Sequence, residues 1–277
     1  MDQGMSAGAR VRTRACPICG DANAATPAGP YGTAAWPVIA CAGCGFVHMR
    51  VVPETEELVE NLAWDKTYAA EQGRRAREQP VATWFDTKMR WRLNMFPRTE
   101  PVDLVNRLGG AAGPVVDLGC GSGGFLARLD ARFTPYGIEI SAALAARATE
   151  LVAGRGGRIV ADSAHDGLAG FPDGFFAGAL LRSYLEHDAD ARAVMLMLGR
   201  KLRVGGIAAL KVPNFGSINR RVRGARWCGI RLPDHVNYFT KASLAALAGQ
   251  AGLAIRFPFL LSLPTDDNVV AVLQKLG

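Results

Sequence analysis

After residue 114, apolar and polar positions alternate between two patterns. Short apolar runs, the pattern of buried strands, are separated by stretches with apolar residues at helical spacing. The runs predict strands near residues 115–119, 134–140, 157–161, 175–182, 206–213, 254–262 and 268–275. Such alternation is typical of an α/β fold with a doubly wound sheet. We therefore expect a seven-stranded, Rossmann-like sheet whose ligands bind at the carboxyl ends of its strands.

The same patterns predict several element boundaries. Residues 53–110 have helical spacing, with helices expected over Glu54–Trp64, around Trp84–Leu93 and from Pro101 to Leu108. The turn Leu202–Gly206 predicts a helix that ends at a glycine before the next strand. Thr240 is expected to cap a helix that begins with the residue after it.

The composition indicates a globular chain. Of its 277 residues, 49% are hydrophobic and 21% are charged, which suits a core-forming protein. Residues 1–14 are polar and basic and lack the apolar region of a signal peptide, so we expect a disordered basic tail. No apolar run reaches the ~18 residues that a membrane helix needs. These features predict a cytoplasmic protein without a membrane partner.

Positive charge is concentrated between Asp190 and Asp234, where no acid occurs. This interval favours either a solvated basic face or a surface for an anionic partner, which would be nucleic acid or a phosphate- or carboxylate-bearing substrate. The nearby aromatics Phe215 and Trp227 are too few to indicate a stacking platform for RNA bases. The bases are Arg192, Arg200, Lys201, Arg203, Lys211, Arg220, Arg221, Arg223, Arg226 and Arg231.

Four cysteines form two C-x-x-C-G motifs, a pattern typical of a zinc ribbon. We expect Cys16, Cys19, Cys41 and Cys44 to bind one Zn²⁺ within a module of residues 15–52. Four thiolates leave no open coordination position, so this zinc would be structural. The module has few large apolar residues, so the metal would hold it together. His48 is expected to be a bystander.

A glycine-rich loop follows the first of these strands, in the run Val115–Gly124. Glycines 119, 121 and 124 fit the dinucleotide fingerprint G-x-G-x-x-G, and glycines 119, 121 and 123 fit the G-x-G-x-G loop that binds S-adenosylmethionine (SAM). Asp117 favours SAM, because a carboxylate suits a cationic amino-acid end and repels a pyrophosphate. Glu139, at the end of the next strand, suits ribose hydroxyls in either cofactor. A helix over Gly124–Ala131 would direct its free N–H groups at the ligand.

With these motifs, residues 111–277 resemble a class I SAM-dependent methyltransferase. The resemblance implies that the loop holds the methionine part, that Glu139 binds the ribose and that Ile140 lies against the adenine. It also implies that residues 53–110 form a helical lid, for which Tyr68 and Trp84 are candidates. The implied cofactor-binding residues are Asp117, Gly119, Cys120, Gly121, Gly123, Glu139, Ile140, Asp162, Ser163 and Arg182.

Two segments resemble acceptor-site segments of such enzymes. In the run Arg182–Asp188, the Glu-His pair would lie near the methyl group, and His187 is the best candidate general base because histidine titrates near neutral pH. The run Pro233–Thr240 is similar to a segment of ubiquinone-type and sugar-type methyltransferases. The catalytic candidates are Tyr184, Glu186, His187 and His235, with Tyr238 also facing the site. The alternative is that both histidines anchor loops.

Two further cysteines lie outside the C-x-x-C motifs. Cys120 is in the glycine loop and Cys228 is in the basic stretch. Either is a candidate nucleophile by type, but neither has an obvious base beside it in sequence. Their interpretation as small buried residues is favoured.

A zinc module ahead of such a methyltransferase resembles two groups. Deoxysugar C-methyltransferases have a Tyr-x-Glu-His constellation that Tyr184, Glu186 and His187 match, although this chain lacks their long C-terminal domain. Ribosomal RNA guanine methyltransferases have similar length but differ after the fourth strand. We therefore expect a small-molecule acceptor in natural-product or sugar metabolism. RNA methylation, using the ribbon and the basic residues 192–231, is the alternative, and a non-catalytic SAM-binding module is the third hypothesis. The acceptor atom and the oligomeric state stay open.

Overall fold

A seven-stranded sheet lies at the centre of the molecule. The computed structural model describes residues 10–54 and 99–277. The strand order is β11-β12-β9-β8-β5-β6-β7; β5 to β9 are parallel, and β12 and β11 are antiparallel. This confirms the predicted doubly wound α/β sheet. The strands are β5 (Gly113–Leu118), β6 (Phe133–Ile138), β7 (Arg158–Val160), β8 (Phe176–Arg182), β9 (Leu202–Pro213), β11 (Leu253–Arg256) and β12 (Asn268–Lys275).

Six α-helices accompany the sheet in the part of the chain that the structure describes. They are α1 (Pro101–Leu108), α2 (Ala142–Val152), α3 (Ala164–Ala169), α4 (Ala191–Lys201), α5 (Ile218–Arg223) and α6 (Lys241–Gln250). The predicted helix at residues 101–108 is confirmed, and so is the cap at Thr240, whose hydroxyl accepts from the Ser243 N–H. Strand β8 is apolar and buried at all but its last residue, as a central strand covered on both faces requires.

The position of the loops after β5 and β8 follows from the strand order. From β5 the chain first adds β6 and β7 on one side, and it then returns to add β8 and β9 on the other. This reversal makes the carboxyl ends of β5 and β8 the topological switch point, where ligands of such sheets bind. The loops that begin at Gly119 and Ser183 therefore flank one crevice.

The N-terminal segment pairs with the rest of the molecule instead of standing alone. Strand β1 (Val11–Thr13) pairs with β4 (Val51–Pro53), and β2 (Val38–Ala40) and β3 (Val47–Met49) form a sheet with β10 (Asn237–Tyr238). The shared core contains Val38, Met49 and Val52 from the N-terminal segment. Trp227, Val236 and Tyr238 complete that core. The segment thus obtains from the later chain the apolar partners that it lacks.

Three sequence predictions near glycine or proline are corrected. The strand expected to reach residue 262 ends at Arg256, since Pro258 has no N–H and a single 3₁₀ turn follows. Helix α4 ends at Lys201, and Gly205 (φ 77°) lies inside β9 at an irregularity of its pairing with β8. The helix expected over residues 124–131 is only the 3₁₀ turn Leu126–Arg128, because Leu129 is already extended.

Residues 11–13, expected in the disordered tail, form β1, and this corrects the tail boundary. The helix predicted over 84–93 lies outside the described residues, as do Tyr68, Trp84 and all but the first residue of the helix predicted over 54–64. No helix in the described ranges has the length and apolar character needed to cross a membrane.

Candidate active site

The glycine loop after β5 has a backbone that other residues could not easily adopt. Gly119, Gly121 and Gly123 have φ angles of 69°, 54° and 85°, a region that favours glycine. A Cβ on Gly119 would lie 2.8 Å from the ring of Tyr184, whereas one on Gly121 would meet nothing within 4 Å. The loop is therefore closed by Tyr184 on one side and open beside Gly121, which leaves room for a ligand against the backbone.

Two carboxylates flank this loop. Asp117, near the end of β5, is 3% exposed, and burial raises its pKa well above the usual range although Arg182 opposes the shift. Glu139, after β6, accepts hydrogen bonds from the Gly121 N–H at 2.8 Å and the Ser141 N–H at 2.9 Å. Each Glu139 oxygen keeps a further lone pair for a ligand hydroxyl. Ile140 beside it is 37% exposed, as a side chain that lies against a ligand face would be.

Asp162 and Ser163 lie after β7, where the sequence analysis expected them. Asp162 is exposed, and its Oδ1 accepts from the Ser163 N–H at 2.7 Å. The Ser163 hydroxyl caps α3 by accepting from the Asp166 N–H at 3.1 Å. The structure thus gives Ser163 a helix-capping role and leaves the second Asp162 oxygen available to a ligand.

Arg182, the exposed last residue of β8, belongs to a partly buried ion-pair network. Its Nε lies 3.0 Å from Oε2 of Glu100, and Lys211 Nζ lies 3.0 Å from Oε1 of the same carboxylate. Burial opposes ionisation of Glu100, but the charges of Lys211 and Arg182 outweigh it and lower the pKa of Glu100. The guanidinium carbon of Arg182 also lies 4.6 Å from the centroid of the Phe125 ring. Arg182 is therefore fixed at the crevice by the chain itself.

Tyr184 follows β8 and is half-buried against Gly119. Its hydroxyl donates to a carboxylate oxygen of Asp188. Burial, and next the negative charge of Asp188, raise the pKa of Tyr184 well above its usual range. Its phenol is therefore a donor and a packing surface at neutral pH.

His187 lies against a carboxylate that the sequence analysis did not select. Its Nδ1 is 2.8 Å from Asp234 Oδ1, and Arg231 lies 2.7 Å from the other oxygen of Asp234. Burial lowers the pKa of His187, but the charge and hydrogen bond of Asp234 outweigh it and raise that pKa. Asp234 is 47 positions away from His187 in sequence, so no spacing rule links the two residues. The only sequence signal was an acid beside His235.

His235 and Glu186 complete this cluster. The rings of His187 and His235 meet edge to face at 4.7 Å, and His235 Nδ1 lies 2.9 Å from the Gly229 carbonyl. Burial lowers the pKa of His235 well below its usual range. Glu186 is 1% exposed, and burial raises its pKa to about 7. Tyr238 is buried in the shared core, where burial raises its pKa.

Comparison with known proteins agrees with this geometry. Residues 91–256, more than half of the chain, match the family model described as a methyltransferase domain. The chain belongs to this methyltransferase family. No curated protein matches it.

The fold of this methyltransferase is shared with solved structures. A SAM-dependent methyltransferase from Methanosarcina mazei is 19% identical, with a TM-score of 0.50 over 64% of this chain and 99% of that chain. The YcgJ protein from Bacillus subtilis is 14% identical, with a TM-score of 0.50 over 64% of this chain and 98% of that chain. At these identities the likeness concerns the fold, and the family supports SAM as the methyl donor.

The two cysteines outside the motifs of the methyltransferase are packed side chains. Cys120 is 6% exposed, and burial raises the pKa of its thiol, so a reactive thiolate is disfavoured. Cys228 is half-buried against the core that contains Trp227. Both environments favour the interpretation as small buried residues.

The four motif cysteines converge. Cys16 Sγ lies 3.6 Å from Cys44 Sγ, and Cys19 Sγ lies 3.4 Å from Cys41 Sγ. A tetrahedral Zn²⁺ with 2.3 Å bonds would place sulfurs roughly 3.8 Å apart, so this donor set fits the ion. The two knuckles repeat the same turn, since the N–H groups of Gly20 and Gly45 donate to the carbonyls of Cys16 and Cys41 at 2.9 and 2.8 Å.

The cysteine-bearing segment directly supports the histidine cluster. Arg14 is 6% exposed and donates to the carbonyls of Met49 at 3.0 Å, Ala189 at 2.6 Å and Val236 at 2.6 Å. It also donates to Asn237 Oδ1 at 2.8 Å. The Asn237 N–H groups in turn reach the carbonyls of Leu185, Glu186 and Asp188. Thus the segments that carry Glu186, His187 and His235 are tied to each other and to the N-terminal module.

The bases of residues 192–231 do not form one free face. Several form ion pairs with acids or donate hydrogen bonds to oxygen atoms within the chain. Those with such partners include Lys201 on Asp173, Arg203 on the carbonyls of Ala111 and Ala112, Lys211 on Glu100, Arg220 on Phe215 and Tyr31, and Arg231 on Asp234. Much of the charge excess therefore stabilises the fold.

Proposed function

We propose that this methyltransferase transfers the methyl group of SAM to a small-molecule acceptor, in natural-product or sugar metabolism. The observation that carries the proposal is the hydrogen bond between His187 Nδ1 and Asp234, in a cluster largely withdrawn from solvent. A base at such depth suits a small acceptor better than a long polymer. Tyr184, three residues before His187, lies against the glycine loop and so links the cluster to the donor site.

The residues around the loop fit SAM. The backbone of Gly119–Gly123 would hold the methionine part and Glu139 would accept from the ribose hydroxyls. Ile140 and Asp162 would contact the adenine, and Asp117 would face the cationic end. SAM supplies an electrophilic methyl group, so the protein must chiefly align the acceptor with it. Positioning of this kind can lower the activation free energy by ~7–11 kcal/mol.

His187 takes the acceptor's proton in this proposal. Asp234 can only accept, so it fixes the hydrogen of His187 on Nδ1 and leaves Nε2 with its lone pair. The methyl group would pass from sulfur, which keeps the electron pair of the broken bond, to the acceptor atom, and the acceptor's proton would move to Nε2 of His187. Asp234 stabilises the resulting imidazolium, as the acid of a triad does. His235 and Glu186 shape the same surface.

The zinc ribbon has a structural role in this proposal. Residues 15–52 hold one Zn²⁺ through Cys16, Cys19, Cys41 and Cys44, while residues 111–277 form the catalytic domain. The hydrogen bonds of Arg14 and Asn237 support this role, since they join the ribbon to the acceptor segment.

A methyl-transfer assay tests the proposal. The protein is incubated with SAM tritiated on the methyl group and either total RNA or a small-metabolite extract. Label in the metabolite fraction, lost in His187→Ala, is the expected result. Label in RNA alone would contradict the small-molecule proposal and favour the alternative, and SAM binding without any transfer would favour a non-catalytic module.

A further inference from the structure

The ring tautomers of the two clustered histidines follow from their partners. His187 Nδ1 lies 2.8 Å from a carboxylate oxygen and 3.0 Å from a backbone oxygen of Asp234. His235 Nδ1 lies 2.9 Å from the backbone oxygen of Gly229. These oxygens can only accept, so both Nδ1 atoms carry hydrogen. Each neutral ring therefore has its lone pair on Nε2.

The two histidines converge on a buried carboxylate, that of Glu186. One donor atom from each of Glu186, His187 and His235 lies within 4.8 Å of the others. His187 Nε2 is 4.0 Å from Glu186 Oε1, and Glu186 Oε2 is buried without a hydrogen-bond partner among the described residues. A buried carboxylate oxygen without a partner, beside two imidazole rings, is a donor set that can hold a cation.

We propose that Glu186, His187 and His235 bind one divalent transition-metal ion, at a site separate from the four cysteines. The surroundings are those of a metal site: each histidine donates its other N–H to a carboxylate or a carbonyl, which fixes the ring and raises its basicity. Arg231 forms an ion pair with Asp234, and Glu186 supplies the carboxylate ligand of the proposed site. This inference goes beyond the proposed function and does not depend on which acceptor is methylated.

The donor set selects the class of metal. Two imidazoles and one carboxylate suit Zn²⁺, Co²⁺ or Fe²⁺ and leave positions open for water or an acceptor oxygen. In a tetrahedral site, bonds of about 2.1 Å place such ligand atoms roughly 3.4 Å apart, so the side chains move inward when the ion binds. The ion and a proton compete for His187 Nε2, and bound metal therefore inhibits methyl transfer.

Metal titration of the full chain tests the site. Protein whose cysteine site is already loaded with Zn²⁺ is titrated with Co²⁺ alone, and visible absorption and bound cobalt are measured. We expect one further equivalent with the weak spectrum of nitrogen and oxygen ligation, without thiolate-to-cobalt charge transfer. His235→Ala should lose it, Asp234→Asn should weaken it about 10–100-fold, and the matched control His165→Ala, at an exposed histidine of α3, should retain it.

Two results overturn the proposal. One is wild-type protein that binds no further equivalent, and the other is a further equivalent that persists in His235→Ala or, where that variant does not fold, in Glu186→Gln. Glu186→Gln, which keeps the side-chain volume, serves if His235→Ala does not fold. SAM binding by each variant reports that the fold is intact. If protein first stripped of metal and then loaded with Co²⁺ shows no thiolate-to-cobalt charge transfer, the result contradicts the proposed zinc ribbon and leaves the test of the histidine site unchanged.

Discussion

The guanidinium of Arg14 donates a 2.6 Å hydrogen bond to the backbone carbonyl of Val236, 222 positions later in the chain. Three further acceptors, from Met49, Ala189 and Asn237, surround the same group. Burial lowers the pKa of Arg14 to about 10, so the side chain stays charged at neutral pH. Arg14, two residues before Cys16 of the first cysteine motif, thus holds the segment that carries His235.

Arg14→Ala should therefore destabilise the protein strongly. Its four acceptors would lose a charged donor while staying buried, at a cost of about 3 kcal/mol or more. Arg12→Ala is the matched control, because Arg12 lies two residues before Arg14, on β1, but its side chain is 38% exposed and makes a surface ion pair with Asp190; its cost should be below ~1 kcal/mol. Urea denaturation measures both, and equal losses would contradict the role given to Arg14.

Removal of zinc should loosen the acceptor segment before the glycine loop. Strand β3 of the cysteine-bearing segment pairs with Asn237 and Tyr238 of β10. Loss of the metal should therefore weaken the pairing between β3 and β10. Hydrogen exchange after chelation is expected to speed up in residues 47–49 and 236–238. Amides of β5 and β6 in the same sample are the internal control. Unchanged protection near residue 237 would show that the ribbon does not hold the site.

Glu139→Ala should abolish tight SAM binding. The carboxylate orders the Gly121 amide, and in our proposal it also accepts from the ribose; two charged hydrogen bonds at about 1.5–3 kcal/mol each predict a loss of at least 100-fold. Calorimetry measures the affinity. Glu150→Ala, an exposed acid on α2, is the control and should bind normally. Tight SAM binding by Glu139→Ala would contradict the proposed SAM site.

Gly119→Ala should also impair SAM binding, for a steric reason. Its φ of 69° disfavours a side chain, and the new Cβ would lie 2.8 Å from Tyr184. Gly124→Ala is the control, since a Cβ there meets nothing within 4 Å. Calorimetry on the two variants should separate them clearly. If both bind alike, the Gly119–Tyr184 contact does not shape the donor site.

Glu100→Gln should cost stability in a pH-dependent way. The pKa of Glu100 is lowered in the folded state, so its ionisation stabilises the fold fully above the usual pKa of a glutamate. This contribution disappears as the pH falls through the lowered pKa. We expect a loss of about 1.5–3 kcal/mol at pH 7 that shrinks in acid. Urea denaturation of the wild type and of Glu100→Gln, from about pH 3 to about pH 7, measures this loss. The range spans the unperturbed glutamate pKa of ~4.3. A difference in unfolding free energy that does not change with pH would contradict the ion-pair explanation.

Local patterns were sufficient for much of the fold. Apolar runs predicted the strands of the sheet, because a strand covered on both faces must be apolar along its length. The errors fell where glycine or proline interrupts a pattern, as at Gly205 and Pro258. Glycine and proline occur in β-bulges, in helix caps and in turns, so the residue type alone does not distinguish these structures. The pairing and packing of the strands determine which of them forms.

The sequence by itself determined the family, the glycine loop and the grouping of four cysteines, because each depends on residues close together in the chain. Only the tertiary structure brought Asp234 to His187 and Arg14 to Val236. These contacts join segments through hydrogen bonds between single polar groups, which leave no periodic trace in a sequence. The acceptor side of the site is therefore a product of packing, whereas the donor side is already visible in one short motif.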